Sequence, residues 1–463
     1  MQDKLVVRWN VTRPNGEKMK IKELVKATGA KVLTEVDEDL DVKISTDTRT
    51  IQKGDFYLPL KGASFDGEKF IKQALEKGAI GAFCTNISSL ALRERVGVRG
   101  QYSSILQVKN TLEAYLQCAN FRRKKLNFTV VAITGSSGKT TTKELVASTL
   151  GEKFRTFKTP LNHNNEIGFC QTIFEAPDDT EVLVLEMGMR GLGEIELLSK
   201  YAEPDITIIS NVGTAHIGRL GSRENIAKAK CEIVKYQRGK TFIAHNDELI
   251  KKTVEFDGEK IFYSIKDVKI LEKSEHYSKF EYLGNIYELN VGGDYNIENA
   301  LSAINAGFAL GMEVNQIQCG LKKYKPIEKR WEGVNVNGLE IINDSYNANP
   351  DSMRAFVDTI FELYQKSVVV LGDMGELGED EIKYHSELGK YINSHKHLKP
   401  DTIILSIGTL SKYITDEVKN CTAKHFETIE NAVSFLKNAD KNSKVFLKAS
   451  RSMKFERIIE ELR

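Results

Sequence analysis

The chain has 463 residues, too many for one ordinary core and enough for about three domains of roughly 150 residues each. Lys and Arg number 66 against 64 Asp and Glu, a net charge of +2, so no global field favours nucleic acid or an anionic membrane surface and an anionic ligand has to be met locally. The six cysteines, Cys84, Cys118, Cys170, Cys231, Cys319 and Cys421, are scattered without a CxxC pair, which argues against a metal cluster or disulfide framework and reads as reduced core residues.

The opening MQDKLVVRWNVTRPNG carries charges where a leader needs an apolar stretch, and no later apolar run reaches bilayer length. A cytoplasmic protein without membrane insertion is expected. No solenoid period and no low-complexity segment is present. Strand-like VKIST at 42–46 and DFYLPL at 55–60 alternate with helical FIKQALEKGA at 70–79, and the polar, basic FRRKKLN at 121–127 closes a first α/β domain, 1–125. From 126 to 326 the pattern becomes long strand–helix repeats. FTVVAIT (128–134), EVLVLEM (181–187) and DITIISNV (205–212) are continuous apolar strands of the kind buried on both faces of a parallel sheet, which predicts a doubly wound central domain. A break near YKPIEKRWEG (324–333) opens a third domain, 327–463, where LEIINDS, SVVVLGD, DTIILSIG and KVFLKAS alternate with helices as in a smaller Rossmann-like sheet.

Ligands of such sheets bind at the carboxyl ends of the strands. VVAITGSSGKTTTKELVASTL (130–150) places a Gly-Ser loop between a strand and a helix. The N-H groups of Gly135, Ser136, Ser137 and Gly138 and the helix start suit a phosphate, Lys139 neutralises its charge, and the hydroxyl of Thr140, next to Thr141, suits magnesium. The position five before Gly138 is Ile133, so the generic phosphate-loop pattern is incomplete, while the strand and helix contexts are both correct. Glu186 and His216 end the next two strand runs, a carboxylate and an imidazole placed for Mg²⁺ held together with nucleotide phosphates. In SRENIAKAKCEIVKYQ (222–237) Lys230 shares the apolar face of Ile226, Ala229, Ile233 and Val234, whereas Lys228 and Lys235 lie nearly opposite. A desolvated Lys230 is either a neutral amine able to take up CO₂ as a metal-ligating carbamate, or a core lysine that snorkels or pairs with an acid such as Glu186.

TGSSGKTT, LEMG and NVGTAH, in this order and spacing, resemble the central ATPase domain of the Mur ligase family, and the resemblance extends over nearly the whole chain. It implies ATP, two Mg²⁺ sites with Thr140, Glu186, His216 and carbamylated Lys230 as ligands, and catalytic roles for Lys139, Glu186, His216, Lys230 and Arg330. DYNIENALSAI (294–304) resembles the family's adenine-recognising segment and implies Asn296 and Asn299. KRWE implies that Arg330 reaches the γ-phosphate, and INDSYNANPDSM that Asp344 contacts the ribose. ISTDTRTIQKGDFYLPLKGASFDGEKFI (44–71) resembles the family's UDP-sugar-holding first domain and implies Asp47, Thr48, Arg49, Lys61 and Asp66 as substrate contacts. NHNNEIG (162–168), NANPDSM, VLGDMGELGE and LKASRSMKFE resemble the branch that adds D-alanyl-D-alanine, with Asn162, Asn165, Asn347, Asn349, Ser450 and Arg451 carried over as substrate-binding. The D-N/D-P-R motif of the branch adding the third residue is absent.

The resemblance thus implies a monomeric ligase of bacterial cell-wall synthesis. ATP phosphorylates the terminal carboxylate of UDP-N-acetylmuramoyl-tripeptide, and the amine of D-alanyl-D-alanine attacks the acyl phosphate. Because Arg330 and Asp344 belong to a different domain from Lys139, the last domain has to close over the nucleotide about a hinge near 326–330. The competing readings are another amide ligase of the superfamily, third-residue-adding or folyl-polyglutamate-like, and a phosphate-loop NTPase that works as a switch.

Overall fold

The computed structural model describes residues 18–34, 36–62, 65–86, 104–326, 329–440 and 443–463. The charged opening at 1–16, the border at 327 and part of the expected hinge lie outside them. The chain separates into two compact units, one formed by 1–130, 155–185 and 200–203 and the other by 131–154, 186–199 and 204–463.

In the first unit a six-stranded sheet has the order Lys18–Lys20, Asp41–Ser45, Asp55–Tyr57, Gly81–Cys84, Ser104–Gln107, Lys31–Val32. Its inner strands are parallel and its two edges antiparallel. The helix Ile71–Glu76 follows a 3-10 turn, Gly67–Phe70, and covers one face through Ile71 and Ala74. The basic stretch 121–127 that closes the first domain is helical up to its cap. It forms the end of the helix Thr111–Leu126, which starts at the Asn110 cap and stops at Asn127 in the left-handed conformation. Arg122 and Arg123 turn inward and are 3% and 1% exposed. Arg122 donates to the carbonyls of Ile173 and Ala176, and Arg123 to those of Ala202 and Glu203. Two buried guanidinium forks thereby satisfy the orphan carbonyls of other chain segments.

In the second unit Glu259–Tyr263, Thr241–His245, Ile206–Ile209 and the 131–134 part of the strand Thr129–Thr134 run parallel in that order. The amide of Met187 donates to Ile133, and the Thr134 hydroxyl to Met187. The phosphate-loop strand therefore lies between the chain ends that carry Glu186 and the 210–216 loop. The helices Lys139–Leu150 and Asp294–Ala309 pack against each other. A second sheet has the order Glu332–Val336, Leu339–Asn343, Lys444–Lys448, Ser367–Gly372, Ile403–Ile407, Thr422–Phe426, parallel except for its first pair. The expected α/β architecture with parallel sheets is present, and three antiparallel features join it. One is the hairpin across Asn337-Gly338, both at positive φ, 52° and 83°. Another is the three-stranded sheet Lys269–Lys273, Ser278–Tyr282, Asn285–Leu289. The third is the pair of edges in the first unit.

The six cysteines are free thiols as expected, but only Cys84, Cys118, Cys170 and Cys231 are buried; Cys319 is exposed and Cys421 half-buried. Helix Pro350–Leu363 starts with Pro350 behind the Asn349 cap and buries Met353, Phe356, Val357 and Ile360. The Phe356 ring lies edge-on to Trp331 at 5.7 Å and to Phe446 at 6.4 Å. Phe356→Ala removes this aromatic junction and is expected to cost about 3–5 kcal/mol of stability, read as a lowered midpoint in denaturant unfolding.

Candidate active site

The phosphate loop is built by backbone bonds to its neighbour loop. Ser136 N-H donates to the Asn211 carbonyl, Ser137 N-H to Asn211 Oδ1 at 2.9 Å, and Gly213 N-H to the Ser136 hydroxyl at 2.9 Å. Two glycines are required here. A Cβ on Gly135 would stand 1.9 Å from Ser210 Oγ, and one on Gly138, whose φ is +75°, would stand 2.5 Å from Asn299 Oδ1. Lys139 starts the helix and its ammonium donates to the Gly135 carbonyl at 2.8 Å. Burial pushes its pKa down, with Glu186 opposing that shift and Arg330 adding to it. The Thr140 hydroxyl accepts from Arg330 Nη2 at 2.9 Å, and Thr141 is buried. Arg330, expected to reach the γ-phosphate, is thus already at the phosphate loop. Its guanidinium lies 4.1 Å from the centre of the Tyr346 ring.

Glu186 is 4% exposed and lies 3.7 Å from Lys143 Nζ. Lys143 was missed in the sequence, although it follows Lys139 by one helical turn. Lys230 is 1% exposed on the buried face of the helix Arg223–Cys231, as expected, with Lys228 and Lys235 in solvent. Among the described residues no acid forms an ion pair with it, so the lysine beside Glu186 is Lys143, not Lys230. Burial first, and the Lys139 charge second, push the pKa of Lys230 far down. His216 sits at positive φ, 67°, with Nδ1 2.6 Å from the carboxylate of Glu376. The same loop is clasped by Asp351, whose Oδ2 accepts from the Thr214 amide and hydroxyl at 2.6 Å each. Glu376 and Asp351 lay within quoted motifs without being singled out.

Asn296 and Asn299 are buried. Asn296 donates to the Gly292 carbonyl, and Asn299 accepts from Thr142 and packs on Gly138, beside the phosphate loop. Asp344 pairs with Lys448 at 2.5 Å, and Lys448 also donates to the Asn347 carbonyl. Asn349 caps its helix by accepting from the Ser352 amide. Ser450 donates to the Asp373 carbonyl, and Arg451 pairs with Glu456 at 2.9 Å. Segments 215–216, 347–349, 375–376 and 450–452 enclose a cavity of about 220 Å³. The structure therefore joins Asn347, Asn349, Ser450 and Arg451 around one space and adds His216 and Glu376 to it.

In the first unit Arg49 grips Asp47 with Nε and Nη2, at 3.0 and 2.6 Å, and this bond holds the carboxyl down at about 2. The Thr48 carbonyl accepts from Lys77, and Lys61 and Asp66 are bridged by backbone bonds. Tyr57 donates to the Gly67 carbonyl at 3.1 Å. Burial, aided by the charges of Asp47 and Asp66, pushes its pKa up to about 12, so the two acids flank one buried phenol. Glu68 accepts from the amide and hydroxyl of Thr85. Asn165 caps the helix Glu166–Glu175, while Asn162 is exposed.

A parallel sheet that delivers a glycine-rich phosphate loop, with a lysine at the helix start and an arginine brought in from a second sheet, defines a phosphate-handling α/β enzyme. Models of three consecutive domains match the chain: the Mur ligase family catalytic domain over 43–120, the Mur ligase middle domain over 133–307 and the Mur ligase glutamate ligase domain over 329–451. The chain belongs to the Mur ligase family. It is 35% identical over 458 residues to the UDP-N-acetylmuramoyl-tripeptide--D-alanyl-D-alanine ligase of Bacillus subtilis, covering 96% of this chain and 97% of that one. The ligase of the same name from Synechocystis is 35% identical over 370 residues, 78% of this chain and 79% of that one. Among solved structures, MurF from Acinetobacter baumannii superposes with a TM-score of 0.83 at 28% identity, covering 96% and 98% of the two chains. MurF ligase from Thermotoga maritima in complex with ADP gives 0.78 at 28% identity, covering 90% and 96%. Among the described residues no helix is long and apolar enough to cross a membrane.

Proposed function

We propose that this protein is an ATP-dependent, ADP-forming ligase that joins D-alanyl-D-alanine to UDP-N-acetylmuramoyl-tripeptide in the cytoplasm. The carrying observation is that Arg330 meets Thr140 of the phosphate loop while Asn347, Asn349, Ser450 and Arg451 border a dipeptide-sized cavity one loop away. On this reading 1–125 holds the UDP-sugar through Asp47, Thr48, Arg49, Lys61 and Asp66. Residues 126–326 hold ATP, and 327–463 supply Arg330, Asp344 and the dipeptide site. Asn162 and Asn165 extend the tripeptide's contacts.

Lys139 and Arg330 stabilise charge as the γ-phosphoryl group moves to the tripeptide carboxylate, and the dipeptide amine then displaces phosphate. Among the described residues no three His, Cys, Asp or Glu converge. The donor set is therefore sparse: Thr140, Glu186 and His216. That set fits Mg²⁺, which keeps its waters and takes phosphate oxygens instead of needing a protein cage. Bound there, Mg²⁺ supplies charge neutralisation at the phosphates. Lys230, buried without an acid, fits the carbamate that would hold a second ion.

Phosphate release with ATP is expected only when the UDP-muramoyl tripeptide and the dipeptide are both present. Equal ATP turnover without either acceptor would instead mark a phosphate-loop switch.

A further inference from the structure

The ligase reading leaves the dipeptide's amino end without a partner, and the cavity beside the phosphate loop contains one acid among its lining residues, Glu376. Several observations show that this carboxylate is placed rather than incidental. Its backbone sits at positive φ, 61°, a conformation a glutamate keeps only where its surroundings fix it. Those surroundings are tight: Gly218 N-H donates to the Glu376 carbonyl, and a Cβ on Gly218 would stand 2.4 Å from Gly378 N. One carboxylate oxygen is held 2.6 Å from His216, and the side chain is still 46% exposed, so its other oxygen is within a ligand's reach. The loop that carries His216 is bonded through Gly213 to Ser136, so the side chain that Glu376 meets belongs to a loop tied to the phosphate loop.

We infer that Glu376 binds the α-ammonium of the incoming dipeptide, with Arg451 of the same cavity facing the dipeptide carboxylate, so that charge at both ends selects a free dipeptide; the nitrogen so placed attacks the acyl phosphate as the neutral amine, after the ammonium has given one proton to solvent, and inorganic phosphate leaves. This rests on the ligase reading. It adds a specificity-determining contact that the mechanism lacks, because a neutral or N-blocked acceptor finds a carboxylate it cannot pair.

The test varies D-alanyl-D-alanine at saturating ATP and UDP-N-acetylmuramoyl-tripeptide. Glu376→Gln, nearly isosteric, is expected to raise the dipeptide KM about tenfold or more, with the KM for ATP changed by less than about twofold. N-acetyl-D-alanyl-D-alanine, as an inhibitor without the ammonium, is expected to bind both forms equally. A fall in kcat with the dipeptide KM unchanged would show Glu376 acting only through His216 and overturn the inference. So would equal weakening of the N-acetyl inhibitor, which marks a lost shape and not a lost charge. Should Glu376→Gln fold poorly by thermal unfolding, Glu376→Asp keeps the charge: a KM near that of the wild type supports the inference, and one as poor as that of an alanine variant overturns it. A wild-type protein that releases no phosphate with the dipeptide would bring down the ligase reading itself, a result distinct from an active enzyme whose KM ignores Glu376.

Discussion

Lys139→Ala is expected to lower kcat/KM for ATP-driven ligation by about 10³-fold, equivalent to about 4 kcal/mol of transition-state stabilisation. The ammonium starts the helix behind Gly138 and hydrogen-bonds the loop it serves, so it is positioned before any phosphate arrives. Its removal relieves a desolvated charge, and the thermal midpoint is therefore expected to move by no more than about 3 °C. Measuring both separates loss of chemistry from loss of fold; a variant with near-normal rates would refute the phosphate role. Glu186→Ala is a less clean companion. Glu186 and Glu144 both lie beside Lys143, a lysine with 0% exposure, so truncating Glu186 disturbs a buried charge as well as the proposed metal donor. Glu186→Gln keeps the volume and is the better probe.

The second large effect is expected at Lys230. If its amine carries CO₂, Lys230→Ala should lose most activity, and a small carboxylate added to the solution should restore part of it. Lys230→Arg should fail as badly, because a guanidinium stays positive and takes up no CO₂. The surroundings sharpen the contrast. The side chain is 1% exposed, its charged form is disfavoured by burial and by Lys139, and no described acid pairs with it. A core lysine without this role would tolerate Met with nearly normal turnover. Intact mass is a poor readout because the carbamate is acid-labile. The deciding measurement is a crystal structure at neutral pH with Mg²⁺ and nucleotide, where unbranched density at Nζ would reject the carbamate.

The phosphate loop was legible because strand, glycines, lysine and helix are contiguous, and local physics alone fixes their relation. Lys230 was legible too, since helical periodicity put it on the buried face with Ile226 and Ile233. Residues whose role depends on a distant segment were harder. Arg330 was visible only through a family resemblance, because nothing between 324 and 333 tells that its side chain meets Thr140. Glu376 and Asp351 sit in loop or helix-start positions whose partners, His216 and Thr214, lie more than a hundred residues earlier. The stretch 121–127 was read only as the polar, basic close of the first domain; that Arg122 and Arg123 are buried as donors to carbonyls depends on distant segments that no local pattern announces. The Asn337-Gly338 turn was readable from its dipeptide and was passed over, whereas the Leu283-Gly284 turn of the small antiparallel sheet has no such signal.

The Arg330 contact has a consequence for the order of events. Thr140 offers its hydroxyl to Arg330, Lys139 is folded onto its own loop, and Asp344 is engaged by Lys448. On the proposed roles, each group that nucleotide would use is already spoken for by the chain. Nucleotide entry is then a displacement and not a simple addition, and the observed affinity is the intrinsic one reduced by the stability of the contacts exchanged. The guanidinium at Thr140 also lies over Tyr346, one residue before the Asn347–Asn349 wall of the dipeptide cavity. A triphosphate that drew Arg330 off Thr140 would act on a side chain that one aromatic ring separates from the wall where the acceptor is to be received.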